Sequence, residues 1–165
     1  YFFPKNESNY LFNAVICSVH LRAAMREISA KWQLKKNWTR ELQLNIGLHE
    51  GQEWLGSFQC ANHIEFVALG NTINEAMRLS DLGSLGTIWA SKNLISKLSA
   101  EERNLLDFGV MIKSVENGDR FVASTYTQIQ SLLDLTQGQH QKIRDIAQLA
   151  VTQIRDARDA LPSFN

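Results

Sequence analysis

Little in this sequence is chemically extreme, and each shortage removes a class of function. Cysteine is scarce. Cys17 and Cys60 are the two present, too few for a disulfide framework and without the paired spacing of a zinc site. Cys17 falls in a helical pattern and reads as a small buried apolar residue. Net charge is missing too. Seventeen basic side chains balance seventeen acidic ones, which argues against a nucleic-acid or anionic-membrane binder acting through bulk electrostatics. No apolar run approaches the ~20 residues that cross a bilayer, and no secretory leader is expected before the first element. These shortages suit a cytoplasmic domain with no direct membrane contact. An initial methionine is absent as well. Tyr1-Phe2-Phe3 followed by Pro4 reads as the end of a strand, so further residues are expected upstream. No glycine-rich dinucleotide loop follows a strand, which disfavours a doubly wound parallel sheet. What remains is 165 residues, 44% hydrophobic and 21% charged, the balance of one soluble domain able to bury a core.

Hydrophobic spacing supplies the element order. Leu11, Ala14, Val15, Leu21, Met25, Ile28 and Trp32 keep a helical period and predict a long amphipathic helix over 10–34. Residues 41–49 alternate, with Leu42, Leu44, Ile46 and Leu48 on one face, as in a half-buried strand. Gly47 sits on the polar face, where it allows something to approach the backbone closely. Glu50-Gly51 predicts a turn into a partner strand over 52–58, and 64–69 has the length of another strand. Thr72 with Glu75 has the form of a capping box opening a helix over 72–82, with Ile73, Ala76 and Met77 inward. A short strand over 87–90 precedes helical turns capped by Ser91 and Ser99. Asn117-Gly118 marks a hairpin between strands 108–115 and 120–123. Beyond Thr125 the spacing turns helical, and an amphipathic helix is expected over 142–160. The mixture predicts an α+β fold: one mixed, mostly antiparallel sheet with helices packed on one face.

Two polar side chains stand out on the helix after Gly70. Asn74 and Arg78 lie four residues apart and so project from one face. In an arbitrary helix such a pair is solvated surface. Here its surroundings matter. Gly47-Leu48-His49-Glu50-Gly51, then Gly56, then Gly70-Asn71-Thr72-Ile73-Asn74-Glu75-Ala76-Met77-Arg78-Leu79 resembles the signature of the class III nucleotidyl cyclase catalytic domain. The order and spacing of all three parts agree, which is far more specific than a lone glycine motif. The likeness runs to Thr87-Ile88-Trp89-Ala90-Ser91 and covers roughly 1–121. It implies a ferredoxin-like cyclase fold, a partial cyclase homology domain over 1–124, and a C-terminal helical extension over 125–165.

The resemblance also implies chemistry. The family converts ATP (or GTP) to a 3′,5′-cyclic nucleotide and pyrophosphate at a homodimer interface, using Mg²⁺ or Mn²⁺. By that likeness Arg78 would hold the α-phosphate in the transition state, since a guanidinium stays protonated and presents a rigid fork of donors. Asn74 would orient the ribose. The position that reads the purine falls on Val67, which offers no side-chain hydrogen bond, and Gln59 stands where the family has glycine. Both departures favour an alternative, a catalytically inactive cyclase homology domain serving dimerisation or nucleotide sensing. The family's metal aspartates would fall upstream of Tyr1; Asp81, Asp107 and Asp119 read as caps and turns. His49 reads as structural, and His20, His63 and His140 have no metal spacing.

Overall fold

The structure, a computed structural model, describes residues 3, 5, 9–61, 63–112, 118–133 and 143–158. A long helix, α1 (Tyr10–Lys36), leads into a short strand, β1 (Ile46–Leu48), and then the hairpin β2 (Trp54–Cys60) and β3 (His63–Leu69). Helix α2 (Asn71–Leu82), strand β4 (Ile88–Ser91) and the single turns α3 (Lys92–Ser96) and α4 (Ala100–Asn104) follow. The chain closes with β5 (Leu106–Ile112), β6 (Arg120–Ala123), β7 (Thr127–Gln128), a 3-10 turn and β8 (Ala150–Ala157). The main sheet runs β1-β4-β8-β5-β6, with β7 beside β8. Among the described strands of this sheet, only the β1–β4 pair is parallel. An α+β fold with a mostly antiparallel sheet is what the pattern predicted.

Helices cover both faces of that sheet, where one covered face was expected. Ile88 and Ala90 of β4 pack with Leu11, Val15 and Val19 of α1 and with Leu94 and Ile95 of α3. Trp89, the residue between them, turns to the other side and joins Leu79 of α2, Val151, Ile143 and Ile146. Strand alternation thus sends neighbouring residues to two separate apolar layers. The inward stripe of α1 also differs from the expected one. Ser18, Arg22 and Ser29 are buried, whereas Ile28 and Trp32 are exposed. Arg22 is the reason: its guanidinium donates to the carbonyls of Ile154 and Arg155 on β8, so this helix meets the sheet through a polar contact.

The largest departure concerns the C-terminal segment. The expected helix over 142–160 is instead, over Ala150–Ala157, a strand between β4 and β5, so it completes the sheet and is no helical extension of it. Ile154 and Ala157 are three residues apart, a helical spacing, yet both enter the α1 core. A bulge makes this so: Asp107 pairs with Asp156 and Phe108 with Ile154, leaving Arg155 as the extra residue that shifts the alternation. The helical reading beyond Thr125 gives way likewise to β7 and a 3-10 turn over Ile129–Ser131. The predicted β5–β6 hairpin is present, its Gly118 at φ 73°; its turn over 113–117 lies outside the described residues, as do the expected strand end at 1–2 with Pro4 and the polar gap at 137–139.

Candidate active site

Helix α2 is seated by two glycines. A Cβ on Gly47 would lie 2.0 Å from the carbonyl oxygen of Ala76 and 2.5 Å from the amide nitrogen of Ser80. The close approach expected at this glycine is therefore α2 itself, laid directly on β1. The second is Gly70, at φ 156°, where a Cβ would meet the Glu53 carboxylate at 1.9 Å. That carboxylate caps the helix: Glu53 Oε1 accepts from the Ile73 amide at 2.8 Å, satisfying one of the free donors of the first turn and complementing its dipole. The Thr72–Glu75 capping box predicted from sequence is not formed. Thr72 donates instead to the Gln52 carbonyl at 3.3 Å, and Glu75 pairs with His49. The box at Ser99 and Glu102 is present, and Ser91 caps α3 as expected.

Residues 49–53 form a hub between three helices. They do not turn β1 into a partner strand; among the described residues β2 pairs with β3 alone. Glu50 accepts from Tyr10 of α1 at 3.4 Å, from Asn93 of α3 at 2.9 Å, and forms an ion pair with Lys97. His49 Nε2 lies 3.0 Å from Glu75 Oε2, while its Nδ1 is buried with no hydrogen-bond partner among the described residues. Burial holds the imidazole below its ordinary range; Glu75 and Glu50 oppose that effect, and Lys97 adds to it.

A pH dependence follows. In the unfolded chain His49 titrates near its ordinary value, about 6.5; the folded protein binds that proton less readily. The stability this group confers is complete above the unfolded value and is lost as pH falls toward the depressed folded one. Urea midpoints measured from pH 7.5 to 5 are expected to fall more steeply for the parent than for His49→Gln. Equal slopes would remove His49 from the acid response.

The outer face of α2 carries the pair singled out in the sequence. Asn74 is exposed, its Nδ2 donating to the Gly70 carbonyl at a long 3.5 Å. Arg78, one turn on, is three-quarters buried and meets Asp145 through Nε at 3.6 Å. Met77 faces outward, contrary to expectation, and Leu79 is the fully buried residue. Val67 lies on a different element, opposite Gly56 on the hairpin. Asp145 had no sequence signal: it is far along the chain, in a segment with a helical pattern. Among the described residues no three His, Cys, Asp or Glu side chains gather as a metal site. These residues do not by themselves fit a catalytic divalent cation.

The β2–β3 hairpin stands outside the main sheet, with every residue of β2 exposed. Trp54, Phe58 and Leu69 share one face; Leu55, Ile64 and Phe66 share the other. Trp54 is 84%, Ile64 71% and Phe66 69% exposed, so both faces are apolar and neither is covered by the described residues.

Two solved structures share this architecture. One is the crystal structure of the adenylyl cyclase CyaB from P. aeruginosa, with TM-score 0.60 and 18% identity over 92% of this chain and 62% of that one. The other is the guanylyl cyclase Cya2, with TM-score 0.62 and 15% identity over 100% of this chain and 66% of that one. This chain has a nucleotidyl cyclase fold. It spans 62% and 66% of the lengths of those two cyclases. No protein-family model matches it, and no curated relative does. No helix among the described residues is long and apolar enough to cross a membrane.

Proposed function

We propose that this chain is part of a class III nucleotidyl cyclase that converts ATP to 3′,5′-cyclic AMP and pyrophosphate at a homodimer interface. The observation that carries the reading is the mounting of Asn74 and Arg78: one helix face, laid closely over Gly47 and capped by Glu53. Cyclisation forms a bond from the ribose 3′-oxygen to the α-phosphorus and breaks the bond to the pyrophosphate oxygen. Negative charge shifts onto the phosphoryl oxygens as it does so. Arg78 stabilises that charge through charge-assisted hydrogen bonds. Asn74 exchanges its long contact to Gly70 for the ribose and sets the attack angle. Mg²⁺ or Mn²⁺ belongs to this reading as cofactor, with its ligands outside the described residues. Val67 lines the base without a hydrogen bond, so discrimination between ATP and GTP is weak on this side.

The second copy is proposed to cover the hairpin. A lone two-stranded ribbon is marginal in water, and one with apolar side chains on both faces marks an interaction surface. Because Glu53 immediately precedes this ribbon and caps α2, a partner docked on it sits next to the proposed site, and each copy supplies what the other lacks.

The test is turnover by the intact protein carrying this chain, with Mn²⁺, comparing ATP and GTP. Cyclic AMP formation is expected, with a modest preference between the two nucleotides. Nucleotide binding with no cyclic product would favour the second reading, an inactive sensing module, which the apolar Val67 supports.

A further inference from the structure

Asp145 is held in place by its two apolar neighbours. It lies between Ile143 and Ile146, which are 3% and 7% exposed and sink into the apolar cluster of Leu79. Leu79 directly follows Arg78. The two anchors therefore hold Asp145 against the stretch of α2 that carries the guanidinium. Its Oδ2 is 3.6 Å from Arg78 Nε, inside ion-pair range and just beyond a hydrogen bond. That Nε is buried and has no hydrogen-bond partner among the described residues. An unsatisfied buried donor is costly, and more so on a cation.

We propose that Asp145 is the positioning residue for Arg78, engaging the Nε edge of the guanidinium so that its terminal amino groups face the phosphates of a nucleoside triphosphate. This rests on the reading of Arg78 given above. A guanidinium is planar and has donors on more than one edge, so carboxylate and phosphate bind it together. A shift of less than about 1 Å turns the present contact into a charge-assisted hydrogen bond. Substrate binding is the event that brings such contacts to full length. A carboxylate that merely competed with phosphate would act differently, weakening affinity and leaving the turnover of bound substrate alone.

The experiment compares Asp145→Ala, Asp145→Asn and Arg78→Ala. Steady-state turnover of ATP is measured on the intact protein. The Arg78 Nε–H signal is followed by ¹⁵N NMR on the chain itself, with inorganic triphosphate as probe. Asp145 is 58% exposed, so its variants are expected to fold. The expected result for Asp145→Ala is a kcat lower by about 10–100-fold, the scale of a misplaced catalytic group, with KM little changed. Asp145→Asn keeps an acceptor oxygen and is expected to recover most of the rate. Triphosphate should move the Nε–H signal downfield in the parent and leave it in place in Asp145→Ala. An Asp145→Ala protein with unchanged kcat and the parental Nε–H response overturns the inference; so does one with lower KM and the parental kcat. If Arg78→Ala changes neither turnover nor triphosphate binding, the reading of Arg78 fails, and this inference with it. An essential Arg78 beside an indifferent Asp145 sinks the inference alone.

Discussion

Arg78→Ala is expected to lower nucleotide cyclisation by about 10²–10³-fold, the scale of losing one donor aimed at developing charge. The effect belongs in kcat, because the contact strengthens as charge moves onto the phosphoryl oxygens. Arg78→Lys should recover little, since an ammonium restores charge without the planar fork. The side chain is partly buried beside Leu79, so circular dichroism and a urea midpoint must accompany the kinetics. If a folded Arg78→Ala protein turns over at the parental rate, Arg78 is surface and the proposed site lies elsewhere.

Phe66→Asp is expected to produce the second large effect, conversion of a dimer into monomers with loss of activity. Phe66 is 69% exposed on the hairpin, and a charge there gains nothing within the chain and loses a partner's apolar contact. An aromatic anchor at the centre of an interface contributes about 2 kcal/mol or more, so the dissociation constant should weaken at least about 30-fold. Phe58→Asp tests the opposite face of the ribbon, because Phe58 and Phe66 point to different sides. Sedimentation of the three proteins under assay conditions is the measurement. A parent that stays monomeric while active would rule out the shared site.

Much of this architecture was legible because it is written in local spacing. The long period of α1, the extent of α2 and the β5–β6 hairpin each depend on neighbouring residues. Gly47 was informative for a different reason: a strand position without a side chain signals an approach, though not by what. Long-range partners left no such trace. Glu53 caps a helix from the start of a hairpin, so the local pair Thr72 and Glu75 looked sufficient and was not used. Asp145 reaches Arg78 only because Ile143 and Ile146 dock beside Leu79. In β8 the bulge at Arg155 gave a buried strand the spacing of a helix, and a central strand covered on both faces offers no clean alternation to correct it.

The place of β8 in the chain also bears on biosynthesis. Among the described strands of the main sheet, the one that joins β1-β4 to β5-β6 is the last in chain order to leave the ribosome. Until it arrives, the two halves share no hydrogen-bonding strand among the described residues, and β4 and β5 each present an open edge to solvent. Such non-local closure is slow compared with helix formation, and open edges recruit other nascent chains. A ribosome stalled before residue 150 would carry a chain dependent on chaperones, and substitutions in β8 should lower soluble yield before they alter anything at α2.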